Sequence, residues 1–481
     1  MDVIAGYTPT IDEEWDTHIL TFENKGEKLN IHMPLLTAEQ LIKVSEKIKN
    51  NSGLLKSFSV MELVSIIDQT VAAFLDRSNP YRKKAEELLP VITGYDKEMI
   101  RTGLTSYLKT FRKQELQRFL VEDFQNPLLL DDFQPRTKTG YSKAVGPDLI
   151  THIWAGNVPG LPIWSLISGI LVKSGNIGKV SSSEPLFSSL FVQQLIEIEP
   201  RLKDSLAVCW WRGGDKEKEK ALFHQSDVVV GYGGNESLES LRTKIPLSTR
   251  FLPYGHKISF GIISSSSLDS NKGEKTAHAA AYDVIRYDQQ GCYSPQAFYV
   301  QRGGNITPKQ FARMLGRELE SYENRYPRRS LSLEETVNIA SWRQKEEFHT
   351  FSNQENEIIG ETSHNWTVVY EDENKELSPS SLNRTIKVIA FDEYSELIPY
   401  LRKNRSFLQT AGVALTPEEL FHTAELLSSV GVTRITALGH MTSPEAGWHH
   451  DGRFNLLDLV NFVDIENYAK EYSENFAPYT D

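Results

Sequence analysis

The chain has 481 residues and a formal net charge of −12, a length that predicts two or three domains. The acidic balance, with no long run of Lys or Arg, argues against sequence-independent nucleic-acid binding. Two cysteines are too few for a disulfide framework or a four-cysteine zinc site.

The N-terminal stretch MDVIAGYTPTIDEEWD is acidic and lacks a basic-then-apolar signal pattern. The most apolar run, Leu161 to Val172, is too short to span a bilayer. A cytoplasmic protein of bacterial type, with no membrane span, is therefore expected. Asn365 and Asn383 match the glycosylation pattern, which without a signal segment is read as chance. There is no internal repeat.

Residues 1–135 read as mainly helical. Ser59-x-x-Glu62 is a capping box followed by Leu63, Ile66, Ile67 and Val71 at helical spacing. Asn79-Pro80 puts a cap and a proline at the start of another helix. In residues 136–268 the apolar runs Leu206–Trp211, Val228–Tyr232 and Ile258–Ile263 alternate with helical stretches such as 185–198 and 236–242, which argues for a parallel sheet with covering helices. Residues 269–440 form a third region, with helices capped at Thr307-Pro308, at Ser332-x-x-Glu335 and at Thr416-Pro-Glu-Glu419. The last of these ends at Gly431. It also holds the strand-like run Thr385–Phe391, preceded by a polar segment, 371–383, read as a surface loop or hairpin. Residues 441–481 are a C-terminal segment whose first part is rich in His, Gly and Asp.

Several residues carry candidate chemistry. Cys292 follows a helical run and Gly291 and precedes an apolar run, the loop setting in which a nucleophile is presented. Cys209, in LAVCWW, reads as an inert core thiol. Asn157, in Ala-Gly-Asn-Val-Pro-Gly160, is either a turn residue or an amide donor to an oxyanion. Val228-Val-Val-Gly-Tyr-Gly-Gly-Asn-Glu236 runs from a strand through glycines into a helix, either a pyrophosphate cradle or a plain strand–helix turn. Lys179, beside several serines, is either a solvated loop lysine or a ligand to an anion such as a ribose phosphate. His440, His449, His450 and Asp451 match no common metal spacing, so no metal is expected. No GxSxG elbow is present.

Together these stretches resemble the LuxC-type acyl-CoA reductases, the reductases of the bacterial fatty-acid-reductase complex. The resemblance lies in His152-Ile-Trp-Ala-Gly-Asn-Val-Pro159, Asp288-Gln-Gln-Gly-Cys-Tyr-Ser-Pro295, the tail HHDGRFNLLDLV from His449 to Val460, and the segment Leu88 to Phe133. More remotely, it extends to the aldehyde dehydrogenase superfamily. It implies an aldehyde-dehydrogenase-like α/β fold: a helical N-terminal region, a Rossmann-like NADPH-binding domain over 136–268, and a catalytic α/β domain over 269–440. By the same resemblance Cys292 is the nucleophile and Asn157 the oxyanion donor, while Lys179, Ser182, Gly233, Gly234 and Asn235 hold the cofactor. Ser182 stands where NAD-selective members often carry an acidic residue, which points to NADPH.

Two departures refine the expectation. The superfamily's hydrolytic members activate water with a Glu before a Gly-Gly-Lys turn, and here the stretch is Leu252-Pro-Tyr-Gly-His-Lys257, without a carboxylate. Their Glu-containing turn for the nicotinamide ribose is replaced by Asn383-Arg-Thr-Ile386. The expected activity is NADPH-dependent reduction of a fatty acyl thioester, from acyl-CoA or an acylated protein, to the aldehyde through an acyl-cysteine. A CoA-independent aldehyde dehydrogenase and a non-catalytic acyl-binding subunit are the alternatives. The family implies an acyl-protein synthetase as partner and a homo-oligomer.

Overall fold

The structure is a computed structural model that describes residues 1–478. The first 35 residues depart from the helical expectation. Strands Asp16–Asn24 and Glu27–Leu35 form an antiparallel hairpin, and Asp2–Ile4 adds to it in parallel. Leu29, Ile31 and Met33 alternate inward from the second strand, the period of two that a half-buried strand requires. Reciprocal backbone bonds between Tyr7 and Val208, at 2.9 and 2.7 Å, tie this sheet to the chain's middle. Helices from Ala38 to Phe124 then follow as expected. The capping boxes at Ser59, Thr307, Ser332 and Thr416 all form, and Gly431 ends its helix with φ of 105°.

The middle region is a five-stranded, all-parallel sheet in the order Arg250–Tyr254, Val228–Tyr232, Leu149–Ile153, Gly175–Lys179, Leu206–Cys209. Ile258–Ile263, assigned from sequence to this sheet, instead sits within a second, seven-stranded one. There it lies between Pro295–Gln301 and Leu408–Ala414. The change of sheet thus falls after Tyr254 rather than near residue 268. A strand buried at every position, with Ser259 its one polar side chain, carries no mark of which sheet receives it. Thr367–Glu371 and Thr385–Phe391 are parallel neighbours in the second sheet, so the polar segment between them is a loop and not a hairpin.

The C-terminal segment folds back on the rest. Asp123 accepts from the N–H groups of Leu456 and Leu457, at 2.5 and 3.1 Å. Strand Asn461–Ile465 pairs antiparallel with Tyr141–Val145. No single helix among the described residues is long and apolar enough to cross a membrane.

Candidate active site

The two main sheets meet at a cleft of about 760 Å³. The five-stranded sheet gives it the carboxyl ends of its strands, through Ile153, Lys179, Tyr232 and Tyr254. The seven-stranded sheet gives it the amino ends, through Lys257, Gln296 and Gln409. Ligands of open parallel sheets bind beyond the carboxyl ends of the strands, and the first sheet obeys that rule.

Cys292 reaches this cleft on a loop of unusual backbone. Tyr287, Asp288 and Gln289 have φ of 48°, 47° and 63°, and across from them Leu382, Asn383 and Arg384 have φ of 56°, 50° and 70°. Left-handed backbone at non-glycine residues costs of order 1–3 kcal/mol each and persists only where surroundings enforce it. Here the two runs enforce one another. Asn383 N donates to Asp288 O at 2.9 Å, Arg384 N to Gln289 Oε1 at 2.7 Å, and Gln289 Nε2 to Thr385 O at 3.1 Å. The fully buried Arg384 guanidinium pairs with Asp288 at 2.6 Å and with Glu323 at 2.5 Å, and donates to Tyr326 O at 2.7 Å. The Asn383–Ile386 turn, read from sequence as a replaced cofactor turn, is thus the buttress of the cysteine loop.

The Cys292 thiol is partly buried. Burial, with the negative charge of Asp451 added, pushes it up to about 11. Gln409 Nε2 donates to Sγ at 3.4 Å and to Asp451 Oδ1 at 2.6 Å. Lys257 Nζ lies 3.8 Å from Asp451 Oδ2. Cys209 is fully buried in the core, and desolvation pushes its thiol up to about 12. Ser259 Oγ donates to Cys292 O at 2.8 Å and accepts from Thr410 N at 3.1 Å, which ties the loop to the sheet.

Asn157 lines the same cleft. Its Nδ2 donates to Gln290 O at 2.5 Å, so one amide hydrogen remains for a ligand. The single Tyr95 O–H hydrogen is shared between Asn157 O and Tyr287 O, at 3.1 and 3.0 Å, and clamps the two loops together. His152 holds the strand below Asn157. It is buried, held neutral by desolvation at about 4, and bonded to Ser165 at 2.5 Å and Asn176 at 2.8 Å.

At the far end lie Lys179, Gly233 and Gly234. The Lys179 ammonium has no ion pair or hydrogen bond among the described residues, and burial depresses it. Gly234 caps helix Asn235–Arg242 without a side-chain bond, and a Cβ there would meet open space. An unpaired cation beside uncapped N–H groups suits the phosphates of a dinucleotide. Two expected cofactor side chains are differently engaged. The Asn235 amide oxygen accepts from His256 N at 3.2 Å, which fixes the side chain and leaves its Nδ2 and backbone N–H groups as donors for a phosphate. Ser182 Oγ accepts from Trp210 Nε1 at 2.9 Å, while Ser181 and Ser183, rather than Ser182, line the cleft. In a run of three serines, sequence cannot tell which hydroxyl faces inward.

The C-terminal histidines are spent on packing. His450 stacks on Tyr254 with centroids 4.6 Å apart, and His449 meets Phe454 edge-on at 4.9 Å. Among the described residues, the ligand atoms that converge are those of Glu346, His349 and Glu371, where Lys387 already pairs with Glu346 at 2.7 Å.

The sequence reading missed the aromatic wall and the Gln409–Asp451 pair. Tyr107, Phe111, Phe119 and Trp164 line the cleft, with Trp164 4.2 Å from Phe119 and 5.8 Å from Phe111 between centroids. Tyr107, Phe119 and Trp164 sit on helices and Phe111 in the turn between two of them, positions that look like any core face, so no local signal marks them.

The family described as Acyl-CoA reductase (LuxC) matches residues 55–462. The chain is 26% identical over 436 residues to the "Long-chain acyl-protein thioester reductase" of Aliivibrio fischeri, with 88% of each chain covered. Among solved structures it is similar to the aldehyde dehydrogenase KauB from Pseudomonas aeruginosa, with TM-score 0.75, 14% identity and 96% of each chain covered. It is equally similar to an indole-3-acetaldehyde dehydrogenase complexed with NAD+, with TM-score 0.75, 13% identity and 96% of each chain covered. The fold is that of the aldehyde dehydrogenases.

Proposed function

The chain belongs to the LuxC acyl-CoA reductase family, and from that premise we propose that it reduces a long-chain acyl thioester to the fatty aldehyde with NADPH. The observation that carries this reading is the meeting, in one cleft, of a buttressed cysteine, an aromatic wall and an unpaired lysine beside an uncapped helix. The thiolate of Cys292 attacks the thioester carbonyl, the C–Sγ bond forms, and the donor's C–S bond breaks to release its thiol. The free Nδ2 hydrogen of Asn157 meets the oxyanion. Tyr107, Phe111, Phe119 and Trp164 receive the acyl chain, where burial of each methylene contributes about 0.8 kcal/mol.

NADPH, when bound, supplies the hydride that the acyl carbon accepts. Lys179, Gly233 and Gly234 hold its phosphates, and the Ser181–Ser183 run accepts the 2′-phosphate without a repelling carboxylate. The carbonyl then re-forms, C–Sγ breaks, and the aldehyde leaves. Exclusion of water fits the charge pattern. The carboxylate beside Cys292, Asp451, is held by Gln409 and Lys257 and is not poised as a base for hydrolysis.

The names of the relatives favour an acylated protein as donor over free acyl-CoA. An acyl-protein synthetase as partner, a homo-oligomeric assembly and a cytoplasmic setting complete the proposal. The test is to incubate the protein with labelled acyl-CoA or an acylated protein in the absence of NADPH and to map the label. Label on Cys292 and not Cys209, discharged as aldehyde on adding NADPH, is expected. Label retained in Cys292→Ala would sink the mechanism.

A further inference from the structure

Burial leaves the Cys292 thiol a poor acid, yet the reaction needs its sulfur as an anion twice: as attacking group, and as leaving group when the aldehyde is released. No cation touches Sγ among the described residues; the Arg434 guanidinium, bonded to the carbonyls of Met441 and His440, acts on it only at longer range. The one side chain that donates to it is Gln409, at 3.4 Å, from a fully buried position at the start of strand Leu408–Ala414. We propose that Gln409 is a catalytic residue whose amide stabilises the Cys292 thiolate in both steps, and that Asp451 and Lys257 are positioning residues that hold and balance it. The assignment rests on Cys292 being the acylated nucleophile.

The argument is one of hydrogen inventory. A glutamine amide carries two N–H donors on nitrogen and only acceptors on oxygen. An ionised carboxylate only accepts, so Asp451, 2.6 Å from Nε2, admits only the nitrogen edge of the amide. That fixes which edge faces the sulfur, and the second N–H is the one aimed at Sγ. Thr410 Oγ1 donates to the amide oxygen only at a long 3.5 Å, so without Asp451 little else keeps that oxygen, which repels a thiolate, from turning to the sulfur.

Asp451 is itself fixed. Its backbone lies in the left-handed region at φ 54°, inside a turn closed by Gly452 N to His449 O at 3.0 Å and Arg453 N to His450 O at 3.1 Å. Its side chain is 8% exposed, so its charge is poorly screened and opposes a nearby thiolate. Lys257 offsets that charge from 3.8 Å and is anchored by a bond to Ser406 O at 3.3 Å. Gln409 and Lys257 therefore favour the thiolate, whereas the charge of Asp451 opposes it and its geometry helps.

These opposed signs give the test. The rate of Cys292 alkylation by iodoacetamide is followed against pH and located by peptide mapping, with thermal melts recorded for each variant. Gln409→Leu should move the profile to higher pH and slow alkylation at pH 8 about tenfold, the effect of one pH unit. Lys257→Met should shift it the same way. Asp451→Asn, which keeps an acceptor and loses the charge, should shift it to lower pH. An unchanged profile in a folded Gln409→Leu would overturn the proposal, as would an upward shift in Asp451→Asn; a packing defect alone gives no reversal of sign. Should Gln409→Leu not fold, Lys257→Met against Asp451→Asn still decides, and equal directions refute the assignment. Alkylation requires no acyl substrate. An absent acyl-enzyme beside the expected alkylation pattern would overturn the thioester reading and support the hydrogen bond.

Discussion

Arg384→Met is the sharpest perturbation of the cysteine loop. Arg384 is fully buried and gives up four bonds to two loops and a helix: Nε to Asp288, Nη1 to Glu323, Nη2 to Tyr326 O, and its backbone N to Gln289. Methionine keeps the backbone bond and part of the volume and loses the guanidinium. Glu323 is 19% exposed and can turn to water, whereas Asp288 is 1% exposed and cannot. Asp288 retains one compensating donor, Arg329 N at 2.9 Å on its other oxygen. Breaking a buried pair from one side typically costs 3–5 kcal/mol, and the retained donor puts the expectation near the low end, about 3 kcal/mol. The loss should be local first, because six left-handed residues are released together. Hydrogen exchange should quicken in 286–292 and 382–385, and acyl transfer to Cys292 should fall. Asp288→Asn in the Arg384→Met background should restore at least about 1 kcal/mol, since the stranded charge is then gone. Chemical denaturation of both single variants and the double variant measures the coupling. A cost below about 0.5 kcal/mol for Arg384→Met, with acylation at the unaltered rate, would refute the buttress.

Further outcomes follow from the same geometry. Asn157→Ala should lower turnover about 10²–10³-fold while NADPH affinity is retained, with steady-state rates and a binding titration as the check. Ser181→Glu should weaken NADPH far more than NADH if Ser181 and Ser183, which line the cleft, receive the 2′-phosphate; an unchanged ratio of initial rates would count against that site. Burial pushes the Asp283 carboxyl up to about 7, although Gly439 N and Met441 N donate to it. The folded state therefore keeps a proton that the unfolded chain releases near pH 4, and stability should fall as pH rises from about 4 to 7, by about 4 kcal/mol, and level off above. Asp283→Asn should flatten that decline in melts recorded across the range.

Local chemistry was legible in the sequence. Ser59 and Glu62, or Thr416 and Glu419, sit three residues apart, and a capping box needs nothing further away. The run of residues around Cys292, Asn157, Lys179 and the glycines at 233 and 234 pointed to one cleft, and all of them line it. What failed was non-local. In the hairpin of 16–35 the strand Asp16–Asn24 has no buried position, and the adjacent apolar Ile19 and Leu20 blur its alternation. Strand Ile258–Ile263 is buried at every position, so its partner sheet is decided by topology alone. Arg384 read as part of a missing cofactor turn because its partner Asp288 lies 96 residues earlier. The aromatic wall comes from three helices and the turn that holds Phe111, and no spacing within one of them reveals it.

The Gln409–Asp451 pair also sets an order of events during synthesis. Gln409 lies 117 residues after Cys292, and Asp451 a further 42. At about 5–20 residues per second the ribosome delivers Asp451 roughly 8–30 s after the cysteine. Throughout that interval the nascent thiol exists without the carboxylate or the closed cleft, and over the first 117 residues of it without the amide as well. It has the ordinary acidity of an exposed cysteine and is open to any oxidant or electrophile nearby. Completion of the C-terminal segment is thus the moment at which this sulfur passes from open solvent to a bonded, partly enclosed setting.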